Sequence, residues 1–93
     1  MRRSLVKSPS FFRAAKRYLK SHPAGTNPIQ DALALLVEDA FAPRLKTHKL
    51  NGGLANCWAA SAGYDLRIVF ELIQEGGTEK ILLLSVGTHD EVY

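Results

Sequence analysis

The sequence has little cysteine, since Cys57 is the only one among 93 residues. One thiol cannot form a disulfide within the chain, and no CxxC motif or Cys/His cluster has the spacing of a zinc site. Apolar runs are short, and none approaches the roughly 20 residues of a membrane-spanning helix. Only two apolar residues, Leu5 and Val6, lie between the basic start and Lys7, which is too few for a signal-peptide core. We expect one small cytoplasmic domain over residues 1–93, with no metal, no cofactor and no membrane contact.

Acidic residues are scarce in the first half of the chain. Residues 1–49 contain ten Lys/Arg and three Asp/Glu, which gives a net charge of +7. Residues 50–93 contain two Lys/Arg and six Asp/Glu, which gives a net charge of −4. This asymmetry indicates a basic face that would attract a polyanion. A run of like charges is also typical of a solvated helix face, and charge alone favours that plainer interpretation.

The first half predicts a short strand followed by two helices. Residues 3–7 form the strand, Ser8-Pro9 has the N-cap and first-turn proline of a helix, and Ser21-His22-Pro23 ends it. Asn27-Pro28 starts the second helix, with Gln30 completing a capping box, and Pro43 closes it. In both predicted helices apolar residues recur at helical spacing and form a buried stripe, and in the first helix basic residues recur on the opposite face. Their members are Phe11, Ala15, Tyr18 and Leu19; Ile29, Ala32, Leu33, Leu36, Val37 and Ala40; and, on the basic face, Arg13, Lys16, Arg17 and Lys20.

The second half changes from helical to strand periodicity. Strands are predicted at residues 54–60, 65–73 and 80–86, with Gly63 in the first connection and a tight hairpin at residues 75–78. The expected fold is α+β: a short N-terminal strand, a two-helix hairpin, then an antiparallel meander of three or four strands. The helices pack on one face of the sheet and leave the other face open for a ligand.

Three sequence blocks in this order carry a resemblance. They are Leu45-Lys46-Thr47-His48-Lys49-Leu50-Asn51-Gly52, then Tyr64-Asp65-Leu66-Arg67-Ile68-Val69-Phe70 after Trp58, and finally Gly87-Thr88-His89. Together they resemble the RelE/ParE toxin superfamily of type II toxin–antitoxin pairs, in its YafQ-like, RelE/StbE-type branch, from about Ser4 to Tyr93. The resemblance implies the RelE-like microbial RNase fold. It also implies a toxin that cleaves mRNA in the ribosomal A site without metal and is silenced by a cognate antitoxin in a hetero-oligomer.

The residues of these blocks suit that chemistry. When a ribose 2′-OH attacks its own phosphate, the reaction needs a base, an acid for the departing 5′-oxygen and a cation for the phosphorane. The resemblance implies catalysis by His48, Asp65 and His89, and phosphate binding by Arg67. We expect His89 to be the general acid and either His48 or Asp65 the general base. Where YafQ-like sequences have a further histidine in the strand before the aspartate, this chain has Ser61.

Asp65 and Arg67 are expected on one strand, facing the same way, with His89 beyond the neighbouring strand. Each residue also has a structural interpretation: Asp65 and Arg67 form a surface salt bridge, His89 caps a strand end, and His48 is a solvated loop residue. His22 is expected to be structural, at a helix end. Trp58 and Tyr64 are expected to pack against the core or sheet.

Contacts with RNA and the ribosome are expected from the basic residues and from one aromatic. Tyr93 could stack on an mRNA base. The predicted contact residues are Arg13, Lys16, Arg17, Lys20, Lys46, Lys49 and Tyr93, with Arg44 beside them. Two other functions stay open at this point. One is a ParE-like toxin that poisons gyrase, and the other is a catalytically silent module that only binds an antitoxin.

Overall fold

A computed structural model describes residues 2–50 and 56–92 of the chain. The order of elements is a strand, two helices, four further strands and a final helical turn. Their bounds are β1 Ser4–Lys7, α1 Pro9–Ser21, α2 Thr26–Glu38, β2 His48–Lys49, β3 Cys57–Gly63, β4 Leu66–Glu75, β5 Thr78–Gly87 and α3 His89–Val92, with 3-10 turns at Pro23–Gly25 and Pro43–Leu45. None of the described helices is long and apolar enough to span a membrane.

The five strands form one mixed sheet in the order β1-β5-β4-β3-β2. Strands β2 to β5 pair antiparallel in sequence order, as the meander prediction requires. Strand β1 pairs parallel with β5, with Ser4 opposite Lys80 and Lys7 opposite Leu83. The connection from β1 to β5 contains both helices and strands β2 to β4, so it is long enough for the crossover that parallel pairing needs. The predicted α+β fold is therefore confirmed. The N-terminal strand β1 forms one edge of the sheet, and β2 forms the other.

Helix α1 begins and ends at its predicted signals. The Ser8 hydroxyl accepts a hydrogen bond from the Phe11 N–H at 3.1 Å, and Pro9 occupies the first turn. The helix ends at Ser21, and His22 caps it by donating its backbone N–H to the Tyr18 carbonyl. Local sequence determines both ends because the cap and the prolines act on neighbouring backbone groups.

The predicted capping box of α2 is wrong. The helix begins at Thr26, one residue before the predicted Asn27 cap, and its N-cap is Gly25, which offers no side-chain hydrogen bond. A side chain has no room at this cap position, because a Cβ on Gly25 would lie only 2.6 Å from the Tyr18 ring. The helix also ends at Glu38, well before Pro43.

The strands differ from their predicted bounds by a few residues. Strand β3 runs to Gly63, and residues 54–55 of its predicted start lie outside the described residues. Strands β4 and β5 are both longer than predicted and meet at the predicted hairpin. Gly76 and Gly77 have φ of 61° and 81°, which a tight two-residue hairpin turn requires.

The main core lies between the helices and one face of the sheet. Phe70, Ile68, Ile81 and Leu83 on the sheet pack with Leu36 of α2, and all five are fully buried. The other face was expected to be open, but α3 covers part of it. Val92 packs against a smaller buried cluster of Leu50, Ala59 and Val69. The chain after β5 therefore turns back over the sheet and carries His89 with it.

Candidate active site

Asp65 lies in the turn between β3 and β4, because β4 begins one residue later at Leu66. The prediction that Asp65 shares a strand with Arg67 is therefore wrong, and strand alternation does not fix the direction of its side chain. Gly63, with φ of 150°, ends β3 and redirects the chain into this turn. The turn places Asp65 beside the end of β5, since Arg67 stands directly opposite Gly87.

The structure brings Asp65 and His89 together. The backbone N–H of His89 donates to Asp65 Oδ1 at 3.1 Å, across 24 residues of sequence. The first N–H groups of a helix have no partner within the helix, so this carboxylate satisfies one of them. Asp65 thereby holds the first turn of α3 against the β3–β4 turn.

A reciprocal capping box completes the start of α3. The Thr88 N–H donates to Glu91 Oε1 at 2.8 Å, and the Glu91 N–H donates to Thr88 Oγ1 at 3.3 Å. The Thr-x-x-Glu pattern is visible in the sequence but was not used in the prediction. The backbone N–H of Thr88 is the main cause of a lowered pKa for Glu91, and the charges of Arg17 and His22 add to it. Glu91 is therefore a carboxylate at neutral pH.

Gly87 allows this arrangement because there is no room for a side chain at its position. A Cβ on Gly87 would lie 2.9 Å from Oε1 of Glu91 and 3.1 Å from its Cβ. Contacts this short require Glu91 to move. The glycine in the Gly-Thr-His block therefore permits Glu91 to reach the Thr88 N–H, which in turn orients the backbone of His89.

The His89 ring is accessible to a substrate. Its side chain is 58% exposed, and Nδ1 lies 3.6 Å from Oδ1 of Asp90, which is fully exposed. Such a pair is weak because water and salt screen it. Asp65 and the capping box hold the backbone of His89, whereas the exposed pair with Asp90 adds little.

His48 lies on the short edge strand β2, where the sequence predicted only a loop. Its Nδ1 lies 3.1 Å from the Lys46 carbonyl oxygen. A carbonyl can only accept, so Nδ1 carries a proton and, in neutral imidazole, the lone pair is on Nε2. Lys46 has φ of 50°, a left-handed conformation that turns its carbonyl toward the ring.

His48 lies on the same face of the sheet as Arg67 but two strands away from it. The ladder aligns His48 with Ala59 and Ala59 with Val69, two residues along β4 from Arg67. Two strand spacings and a two-residue offset place the Cα atoms of His48 and Arg67 roughly 12 Å apart. Asp65, Arg67 and His89 thus lie at one end of the sheet, and His48 lies to one side of them, on the edge strand β2.

Arg67 binds the backbone of the β3–β4 turn. Its Nη1 donates to the carbonyls of Leu66 at 3.2 Å and Gly63 at 3.4 Å. Within the described part of the chain no ion pair joins Asp65 and Arg67, which removes the salt-bridge interpretation of this pair. The guanidinium keeps its full positive charge beside the turn.

Arg67 also lines a cleft of about 530 Å³ between α2 and the sheet end. Arg44 and Lys46 contribute two further cations to its wall, and Asp31 contributes the one carboxylate. Ser61, which replaces the histidine of YafQ-like sequences, stands opposite Arg67 on β3 and lines the same cleft. The excess of positive charge makes the cleft suitable for a phosphate-containing ligand.

The predicted RNA-contact residues have different environments. Arg13, Lys16, Arg17 and Lys20 are all exposed on α1, as predicted. Lys46 lines the cleft, and Lys49 is exposed on β2 with its ammonium 5.8 Å from the Trp58 ring. Tyr93 lies outside the described residues. His22 stacks on Tyr18 at 4.4 Å, which is consistent with its predicted structural role.

Two aromatic residues had been expected to pack, and only one does. Trp58 is half-buried, packs against the main core and meets Phe41 edge to face at 5.1 Å. Tyr64 is fully exposed at 101% of its reference area, so the prediction that it packs is wrong. It stands at the tip of the β3–β4 turn, where the neighbouring backbone turns away from the core.

Several toxins of known structure have the same fold. YafQ from E. coli strain BL21(DE3) gives a TM-score of 0.79 at 16% identity, with 98% of each chain covered. The YoeB/ParE toxin from Agrobacterium tumefaciens gives 0.73 at 19% identity, over 92% of this chain and 98% of that one. The E. coli DinJ-YafQ toxin–antitoxin complex gives a TM-score of 0.76 at 17% identity, with 100% of this chain and 99% of that chain covered. No protein-family model and no curated protein matches the sequence.

The fold is therefore that of the RelE/ParE-like toxins, and the fold expected from the three sequence blocks is confirmed. YafQ is similar to this chain over nearly the whole length of both, in agreement with the YafQ-like resemblance of the sequence. The DinJ-YafQ structure is a complex of a toxin with its antitoxin.

Proposed function

We propose that the chain is the toxin of a type II toxin–antitoxin pair and a ribosome-dependent, metal-independent endoribonuclease that cleaves mRNA in the A site. The observation that carries the proposal is the contact between Asp65 and His89 beside Arg67. This contact anchors an accessible imidazole beside a fixed cation at one end of the sheet, and phosphodiester cleavage uses an acid and a cation of this kind.

In this mechanism the ribose 2′-oxygen attacks phosphorus and the bond from phosphorus to the 5′-oxygen breaks. A base takes the 2′-OH proton, and an acid protonates the departing oxygen. His89 is the acid, because its ring is exposed and its backbone is anchored from both sides. Arg67 balances the negative charge that develops on the phosphorane oxygens. The products are a 2′,3′-cyclic phosphate and a 5′-hydroxyl.

His48 is preferred over Asp65 as the base. Asp65 Oδ1 already accepts the His89 N–H, so moving this carboxylate toward a substrate would release α3. His48 keeps its proton on Nδ1 toward Lys46 and presents Nε2 as the basic atom. Asp65 is then a positioning residue in this reaction.

The partners of the proposed toxin are the ribosome with its mRNA and a cognate antitoxin. The exposed cations of α1 and the cationic cleft support the first, since phosphate contacts hold RNA without reading its sequence. The DinJ-YafQ complex supports the second. The proposed assembly is a toxin–antitoxin hetero-oligomer in the cytoplasm.

The test is primer extension on a defined mRNA with the purified protein, with and without translating ribosomes. We expect codon-phased cuts only with ribosomes, lost in His89→Ala and kept in Glu75→Ala, a variant at the distant β4–β5 hairpin. No cuts from the folded wild-type protein would contradict the nuclease proposal. Inhibition of gyrase supercoiling in its place would identify the gyrase-poisoning function, and antitoxin binding alone would identify the silent module.

A further inference from the structure

Tyr64 is a large aromatic residue that the folded chain does not use for packing. Its exposure of 101% is far above that of Phe12 and Phe41, the other exposed large apolar residues of the described ranges, at 57% and 44%. No other ring of the described residues stacks on it. A residue of this size at a turn tip contributes nothing to the core, so its ring is available to a ligand.

The surroundings of Tyr64 favour a nucleotide as that ligand. Tyr64 lines the cationic cleft of about 530 Å³ and also a second, more apolar cleft of about 380 Å³. The first holds Arg44, Lys46 and Arg67 against the single carboxylate of Asp31. An exposed aromatic face beside clustered cations is the combination that binds single-stranded RNA, where bases stack and phosphates meet positive charge.

We propose that Tyr64 and the cationic cleft form a nucleotide subsite next to the scissile phosphate. The base stacks on the Tyr64 ring, and the phosphate of that nucleotide lies toward Arg44 and Lys46. The subsite adjoins the reaction centre because Asp65 follows Tyr64 directly and Arg67 lines the cleft. The inference rests on the proposed function, since it assumes that RNA is the substrate.

A protein partner is the alternative occupant of an exposed aromatic residue. The charge of the cleft favours RNA, because three cations face one carboxylate in its wall. The volume also suits one nucleotide, within the roughly 300–1,000 Å³ typical of small-molecule sites. The antitoxin is therefore treated as an outcome of the test.

The experiment measures binding of a fluorescein-labelled single-stranded hexaribonucleotide in the His89→Ala background, which keeps the RNA intact. Tyr64→Ala should raise Kd at least about fivefold, and Tyr64→Trp should restore it. Phe12→Ala, which removes an exposed aromatic residue outside both clefts, should leave Kd unchanged. Lys46→Ala should reduce the slope of log Kd against log salt by about 0.7, the value for one phosphate contact to a single strand.

The subsite is refuted if Tyr64→Ala binds as tightly as Phe12→Ala, or if the protein binds no RNA. It is also refuted if Tyr64→Ala weakens only antitoxin binding. Because binding is the readout, failure of ribosome-dependent cleavage would remove the proposed nuclease and leave a Tyr64-dependent affinity standing. Conversely, unchanged affinity would remove the subsite even if cleavage occurs.

Discussion

Replacing Glu91 with alanine should slow RNA cleavage although Glu91 does not contact the reacting atoms. The substitution removes the acceptor of the Thr88 N–H, a bond of 2.8 Å, and opens the capping box of α3. Four residues are too few for a helix to be stable alone, so α3 depends on its anchors. These anchors are the capping box, the bond from His89 to Asp65 and the packing of Val92.

The expected size follows from the energy of a cap. Losing one N-terminal cap costs about 1 kcal/mol, and 1.4 kcal/mol is a factor of ten, so the equilibrium constant for docking α3 should fall about fivefold. The single-turnover rate should fall by a factor between one and about five, set by how far α3 undocks, while the affinity for ribosomes stays the same. Glu91→Gln retains an acceptor oxygen and should recover most of the rate. Glu75→Ala removes a carboxylate at the distant β4–β5 hairpin and should have no effect.

A double-mutant cycle separates positioning from general destabilisation. If Glu91 acts through His89, adding Glu91→Ala to a His89→Ala protein should change the residual rate little. An independent twofold to fivefold loss in that background would refute the reasoning. The reasoning would also be refuted if the single Glu91→Ala variant cleaved at the full rate although loss of amide protection at His89 showed that α3 had been released.

Three further predictions concern pH, charge and the core. Folding lowers the pKa of Glu91 below its ordinary value of 4.5, so the cap that Glu91 forms stabilises α3 at neutral pH. This stabilisation is lost as the pH falls through the lowered pKa. An NMR titration of the His89 amide should therefore show release of α3 only below pH 4.5. Neutralising Arg13, Lys16 and Arg17 to glutamine should weaken ribosome binding and flatten its salt dependence, and an unchanged salt slope would show a merely solvated face. Phe70→Ala, at a fully buried site, should lower the free energy of unfolding by about 3–5 kcal/mol in urea titrations, and a loss under 1 kcal/mol would contradict the assigned core.

Elements governed by local backbone chemistry were predictable from the sequence. Ser8-Pro9 specifies the start of α1, and Gly76-Gly77 specifies the hairpin, because in each case the residue acts on its own or adjacent dihedrals. The start of α2 was not predictable in this way. Its N-cap, Gly25, is selected by the close approach of the Tyr18 ring, a contact that only the folded chain creates.

The candidate site was predictable in its members more than in its geometry. The blocks around His48, Asp65 and His89 carry the resemblance. Strand periodicity, however, placed Asp65 at the start of β4, whereas it lies in the turn one residue before that strand. The two-residue strand holding His48 is too short to leave a periodic signal. The role of Glu91 was not predicted, although Thr-x-x-Glu at residues 88–91 is a capping motif that the sequence displays.

The most direct test of the proposed chemistry uses ribosomes programmed with two matched mRNAs. One is all-ribose, and the other carries a single 2′-deoxynucleotide at the mapped cut. The proposal predicts cleavage of the first, with a 2′,3′-cyclic phosphate end, and none at the substituted position of the second. Cleavage of both would contradict attack by the 2′-OH, and cleavage of neither would contradict the nuclease itself.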